Sequence, residues 1–178
     1  IILLLACLAS LVVGALTLAV QIGDEQRKQQ KLAVLASAKR LRATATQDVV
    51  PPPRIESHRF HLFLSHVWAT GQDQMRIVKQ RLLEMIPDVS IFLDVDDLED
   101  ISDLEGYVDR TNTILVFCSQ GYFTSKNCMR EIRSCVLKQK PLIALLEPEA
   151  GKGGLTIEQV EQQLIDADAK YAGWGFGN

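Results

Sequence analysis

The chain has 178 residues, 47% hydrophobic and 23% charged, with a formal net charge of −3 and four cysteines. A net negative charge with no basic stripe beyond residue 59 argues against nucleic acid as a partner. The composition averages two unlike regions, an uncharged opening run and a remainder of ordinary globular make-up.

Residues 1–23, "IILLLACLASLVVGALTLAVQIG", carry no charge. As a helix they would measure about 34 Å, enough to cross a hydrocarbon core of about 30 Å. A secretory signal peptide is the competing reading. The run is longer than an apolar signal region of about 7–15 residues, and no basic segment precedes it. The "LLAC" at 4–7 has the look of a lipoprotein cleavage box, but the apolar run continues past it. One transmembrane helix over 1–23 is therefore expected, with Ser10 and Gly14 at a spacing that suits helix packing.

Residues 24–58 form a basic juxtamembrane helix and a Pro-rich linker. Arg27, Lys28, Lys31, Lys39, Arg40 and Arg42 outweigh Asp24, Glu25 and Asp48, which places this side of the span in the cytoplasm. The same cations suit anionic lipid headgroups, or simply a solvated helix. "VVPPPR" at 49–54 stops any helix and marks an extended spacer.

From 59 to 178 short apolar runs alternate with helical patterns. "FHLFLS" (60–65) precedes an amphipathic helix over 73–87 with Met75, Val78, Leu82 and Met85 on one face. "SIFLDV" (90–95) leads into the acidic loop "DDLEDISDLEG", and "TILVFCS" (113–119) into a helix opening at Ser125. On that helix Cys128, Ile132, Cys135 and Val136 make the buried stripe, and Glu131 falls at its edge with no basic residue at i±3 or i±4. "PLIALLE" (141–147) is the fourth run. After "GKGG" comes a last helix with Thr156 and Gln159 at capping-box spacing and Ile157, Val160, Leu164 and Ala167 turned inward.

This alternation predicts an α/β, flavodoxin-like doubly wound parallel sheet with four visible strands buried on both faces. The chain begins without Met and ends on "GWGFGN", so it reads as cut at both ends, with a fifth strand expected beyond the last helix. With strand order 2-1-3-4, a crevice opens past the carboxyl ends of strands 1 and 3. The loops "SHVWATGQ" and "SQGYFTSKN" meet there, so Trp68 and Glu131 are expected to face one cleft. Cysteines 7, 118, 128 and 135 show no CxxC pairing and no His at metal-ligand spacing, so they read as small core residues and no metal is expected.

"HLFLSHVW" and "VFCSQGYFTSKNCMREI" resemble the first box and the strand-3-to-helix segment of Toll/interleukin-1 receptor (TIR) domains. The resemblance covers roughly 59–174 and places Ser119, Tyr122, Ser125, Cys128, Glu131 and Ile132 on the family's S-x-x-Y-x-x-S-x-W-C-x-x-E-L motif. Asn127 replaces the Trp of many relatives, and the loop 96–105 lacks the RD…PG pattern of animal receptor adaptors. In TIR domains that cleave NAD, the glutamate matching Glu131 is catalytic. Together with the span expected over 1–23, the resemblance implies a membrane-anchored signalling protein that hydrolyses or cyclises NAD, taken as substrate rather than cofactor. The alternative is a non-catalytic module that recruits other TIR domains by homotypic assembly. A receiver-like or nucleotide-sensing domain on the same fold is a third.

On the enzymatic reading Trp68 stacks on a ring of the dinucleotide, or else caps the surface. Ser65, a turn at Gly71 and the N–H groups opening the following helix take phosphate oxygens, with a strand-end cap as the other role for Ser65. Ser119, Asn127 and Cys128 line the cleft. His66, without a visible carboxylate to orient it, is assigned a polar loop contact rather than catalysis. Asp94, Asp96 and Asp97 read as a solvated charge run rather than a metal or phosphoacceptor site, in a loop that joins neighbouring domains in TIR relatives.

Overall fold

In a computed structural model of the chain, the described residues are 2–55, 57, 59–97 and 103–176, without the side chains of 2–13 and 95. The first helix, α1, runs over Ile2–Ala38. Among the described residues no helix is long and apolar enough to cross a membrane. Much of the uncharged run assigned to a span, 1–13, lies outside the described side chains, as does Cys7. Beyond α1 the chain turns back before the Pro-rich stretch. Leu41 N–H donates to Met85 O at 2.9 Å, Lys39 pairs with Glu84 at 3.2 Å, and Arg42 bridges Val49, so residues 39–50 fold back against the next helix.

Four strands follow: β1 (Phe60–Ser65), β2 (Ile91–Phe92), β3 (Thr111–Cys118) and β4 (Leu142–Leu146). They form one parallel sheet of order β2-β1-β3-β4, the order expected from the pattern. Helices α2 (Trp68–Met85), α3 (Asp94–Asp97), α4 (Leu104–Asp109), α5 (Lys126–Leu137) and α6 (Ile157–Gly173) connect and flank the strands. A parallel sheet needs such crossovers, and they cover its two faces with separate apolar clusters. On one face Phe92 stacks between Phe63 (4.8 Å) and Tyr107 (4.5 Å), next to Ile114, Val116 and Tyr122. On the other, Leu64, Leu93, Leu115 and Phe117 bury Met75 of α2.

Several local expectations change. Helix α2 begins at Trp68, five residues before the predicted start, so Gly71 is helical rather than part of a turn. A Cβ on Gly71 would stand 3.0 Å from both His66 Cβ and Phe117 Cδ1, so the glycine serves close packing. Strand β2 is only two residues long, because Asp94 already opens α3. Strand β4 is not buried on both faces: Leu142, Ile143 and Leu146 stay exposed, as at the edge of a sheet. The capping box of α6 is present, with Thr156 N–H to Gln159 Oε1 at 2.8 Å and Gln159 N–H to Thr156 Oγ1 at 3.2 Å. Its inner stripe, however, passes through Val160, Ala167 and Tyr171, while Ile157 and Leu164 face outward. Tyr171 Oη donates to Phe123 O at 2.7 Å and fixes that rotation.

Candidate functional site

Three strand ends open on the same side of the sheet. After Ser65, β1 passes through His66 and Val67 into α2; after Phe92, β2 reaches Asp94 through Leu93; after Cys118, β3 continues through a 3-10 turn at Tyr122–Thr124 into α5. Ser125 Oγ caps α5 by accepting from Cys128 N–H at 3.4 Å. These elements enclose a pocket of about 230 Å³ bordered by His66, Trp68, Asp94, Asn127, Cys128 and Glu131, among others.

Glu131 is in the middle of the buried face of α5, not at its edge. The buried residues there are Cys128, Met129, Glu131, Ser134 and Cys135, whereas Val136 is exposed and Ile132 only half-buried. The helix is rotated toward the acid because Ser65 and Tyr122 receive it. Ser65 Oγ donates to Glu131 Oε2 at 2.5 Å and shares a second 2.5 Å hydrogen bond with Tyr122 Oη. Among the described residues no cation forms an ion pair with this carboxyl; its neighbour Arg130 instead holds Glu105 through two bonds of 2.6 and 2.7 Å.

Burial dominates the electrostatics. It pushes the Glu131 carboxyl from an ordinary 4.5 up to about 8, against the opposing pull of the Ser65 hydrogen bond and with a further push from Asp94. The group is therefore mostly protonated at pH 7, not a resting carboxylate partly screened from water. Burial likewise raises the Cys128 thiol to about 12, helped by the Glu131 charge, so it offers no thiolate nucleophile. Its Sγ–H donates to His66 O at 3.3 Å.

Trp68, His66, Asn127, Cys128 and Glu131 do border one pocket, and the cleft expected between Trp68 and Glu131 exists. Ser65 lies behind the acid as its hydrogen-bond donor. Ser119 and Gly71 do not border the pocket; Ser119 is buried and its hydroxyl bonds Thr70 Oγ1 at 2.9 Å. His66 does have a carboxylate beside it, since Asp94 Oδ1 stands 3.6 Å from Nδ1, which also lies 3.2 Å from Leu64 O. Its Nε2 is buried without a hydrogen-bond partner among the described residues.

Asp94 is the residue that sequence reasoning misjudged. It does not belong to a solvated charge run: its side chain is 10% exposed, and Oδ2 accepts from Trp68 Nε1–H at 2.5 Å. Asp97 and Asp96 are also engaged, with Lys79 at 2.7 and 3.2 Å. Topology carried the missing signal, because β2 pairs with β1, so the segment following β2 lies beside the segment following β1. Residues 98–102 of the acidic loop lie outside the described residues.

A second, more polar groove of about 570 Å³ adjoins the pocket across Trp68 and Ala69, with Gln120, Lys152 and Gly153 on its other borders. Helix α2 opens beside it with Val67 at the N-cap position and no side-chain cap. The first-turn N–H groups there donate no hydrogen bond to the N-cap side chain.

No protein-family model matches the chain, and no curated protein matches it. Among solved structures, the TIR domain of the Toll-related receptor TRR-2 from Hydra magnipapillata is similar over 67% of this chain and 99% of that one, at 9% identity and a TM-score of 0.43.

Proposed function

We propose that the chain is a membrane-anchored TIR-type signalling domain that cleaves NAD at the nicotinamide–ribose bond, with Glu131 as the catalytic carboxylate. The observation that carries this reading is the buried acid itself: bonded to Ser65, without an ion pair among the described residues, and bordering a pocket shared with an indole. Strongly shifted acids cluster in the clefts where chemistry occurs. The motif around Glu131 supplies the family.

The reaction suits one carboxyl group. Ordinary glycosides need a second one to protonate the leaving oxygen. In NAD the bond between ribose C1′ and the ring nitrogen breaks with its electron pair going to the nitrogen, so a cationic pyridinium leaves as neutral nicotinamide. Water then adds to C1′ and releases a proton, giving ADP-ribose. An ionised Glu131 stabilises the positive charge developing on the sugar in a site with little water. The pocket is smaller than the roughly 300–1,000 Å³ typical of drug-sized ligands, so it suits the ring and its ribose. The diphosphate and second nucleoside are assigned to the adjoining groove past Ala69.

The uncharged run of 1–23 supplies the anchor, and the basic residues after it set the cytoplasmic side. Tethering raises local concentration and favours assembly. The test is nicotinamide release by the full chain clustered on lipid vesicles. Wild type should release it and Glu131→Gln should not, while both give the same circular dichroism. Equal silence of the two under clustering would leave the second reading, a non-catalytic module that assembles with other TIR domains. That reading draws on the apolar side chains left open at Val136, Leu137, Leu142 and Ile143.

A further inference from the structure

Trp68 is exposed yet tethered. Its ring is 54% open, but Nε1–H is held by Asp94 Oδ2 at 2.5 Å, and the other oxygen of that carboxylate faces His66 Nδ1. Asp94 is in turn fixed by its place at the first residue of α3, separated from β2 by Leu93 alone. An indole held by one end has already lost the rotamer freedom that a free surface tryptophan would lose on binding a ligand. Donating its N–H to a carboxylate also makes the ring more electron-rich, which strengthens attraction of a cation to its face.

The rest of the lining points the same way. Among the described residues, the side chains around the pocket include Asp94 and Glu131 but no Lys or Arg. Two acids and a π face share a small space, with His66 beside Asp94. Asp94 disfavours ionisation of Glu131, and a cation seated between them offsets that effect on Glu131.

We propose that Asp94 is a positioning and specificity residue: it locks the Trp68 indole over the pocket and, together with Glu131, makes the seat selective for a positively charged aromatic ring over an uncharged one. This deepens the NAD reading and rests on it for the identity of the substrate. Oxidised nicotinamide, a pyridinium, is accepted, and the neutral dihydro ring of NADH is not.

The experiment uses the full chain carrying Trp174→Phe, so that Trp68 is the one tryptophan left of two. Nicotinamide methylated on its ring nitrogen, a fixed cation, and nicotinamide itself, its neutral counterpart, are titrated while Trp68 emission is followed. NAD cleavage is measured in parallel. The cation should quench Trp68 and bind at least about tenfold tighter than nicotinamide. Asp94→Ala should shift the resting emission, weaken the cation by about tenfold and raise KM for NAD more than it lowers kcat. Asp94→Asn keeps an acceptor for the indole but not the charge, so emission should hold while selectivity falls. If Asp94→Ala does not fold, that loss of selectivity in Asp94→Asn still decides the matter.

Equal affinity for the two probes overturns the proposal, and so does selectivity unchanged in both variants. Should NAD be cleaved in a Glu131-dependent way with Asp94 variants behaving as wild type, the proposal falls and the cleavage reading stands. Should wild type leave NAD intact yet bind the cation selectively through Asp94, the seat stands and the cleavage reading falls.

Discussion

Replacing Glu131 by Gln measures the cost of the buried acid without any substrate. The carboxyl titrates near 8 in the folded chain against an ordinary value of 4.5. Between those two pH values the folded chain holds one proton more than the unfolded chain, so stability falls as pH rises. The contribution is fully present below 4.5 and is lost as pH climbs through 8. The slope is about 1.4 kcal/mol per pH unit. Across the gap (8 − 4.5 = 3.5 units) that amounts to about 5 kcal/mol, of which about 3 kcal/mol is lost by pH 7. A Gln side chain has nothing to ionise, and its amide oxygen still accepts from Ser65 Oγ. Urea unfolding of both proteins in half-unit steps from pH 5 to 9 should show a small difference at the acid end. It should widen in favour of the variant to about 3 kcal/mol at pH 7, a large share of the roughly 5–15 kcal/mol of a whole domain. Parallel stability profiles would refute the reasoning, because they would mean that the acid has the same affinity for protons folded and unfolded.

On the proposed NAD-cleaving function, kcat/KM for NAD should rise about tenfold per unit up to pH 7 and level off above about 8, read from initial rates of nicotinamide release. Ser65→Ala removes the hydrogen bond that favours the ionised form, so the midpoint of that profile should move to higher pH, with about 1–3 kcal/mol lost in unfolding experiments at acid pH. Gly71→Ala places a methyl 3.0 Å from His66 Cβ and Phe117 Cδ1. The helix-propensity gain of about 1 kcal/mol should be outweighed by overpacking of about 1–3 kcal/mol, seen as a lower thermal midpoint.

Strand order and the meeting of Trp68 with Glu131 were legible in the sequence because both follow from a simple alternation of apolar runs and helices. The details that failed share a cause: each depended on a partner far away in the chain. The rotation of α5 is set by Ser65 and Tyr122, which a helical wheel drawn on 126–137 does not contain. The early start of α2 brings Trp68 to Asp94, 26 residues on, and α6 turns its Tyr171 to a carbonyl 48 residues earlier. Asp94 was misjudged because a local count of like charges suggests solvation, while the short β2 tucks the first of them under an indole. Apolar periodicity shows which side of an element is dry, but a polar group buried on that side is legible only once its partner is placed.

The resting proton on Glu131 and the proposed substrate fit together energetically. At pH 7 the acid lies about one unit below its midpoint, so ionising it takes about 1 kcal/mol. A unit positive charge held about 4 Å away contributes about 4 kcal/mol at an effective dielectric of 20, which exceeds that cost. A pyridinium in the pocket therefore drives off the proton that a neutral ring leaves in place. The empty domain is spared a buried unpaired charge, and the charge arises where and when a cation can use it. Burial in the α5 interface thus keeps the fold stable at rest and makes the acid responsive to the sign of its ligand. An exposed glutamate on the same helix would be ionised at all times and would distinguish the two rings only weakly.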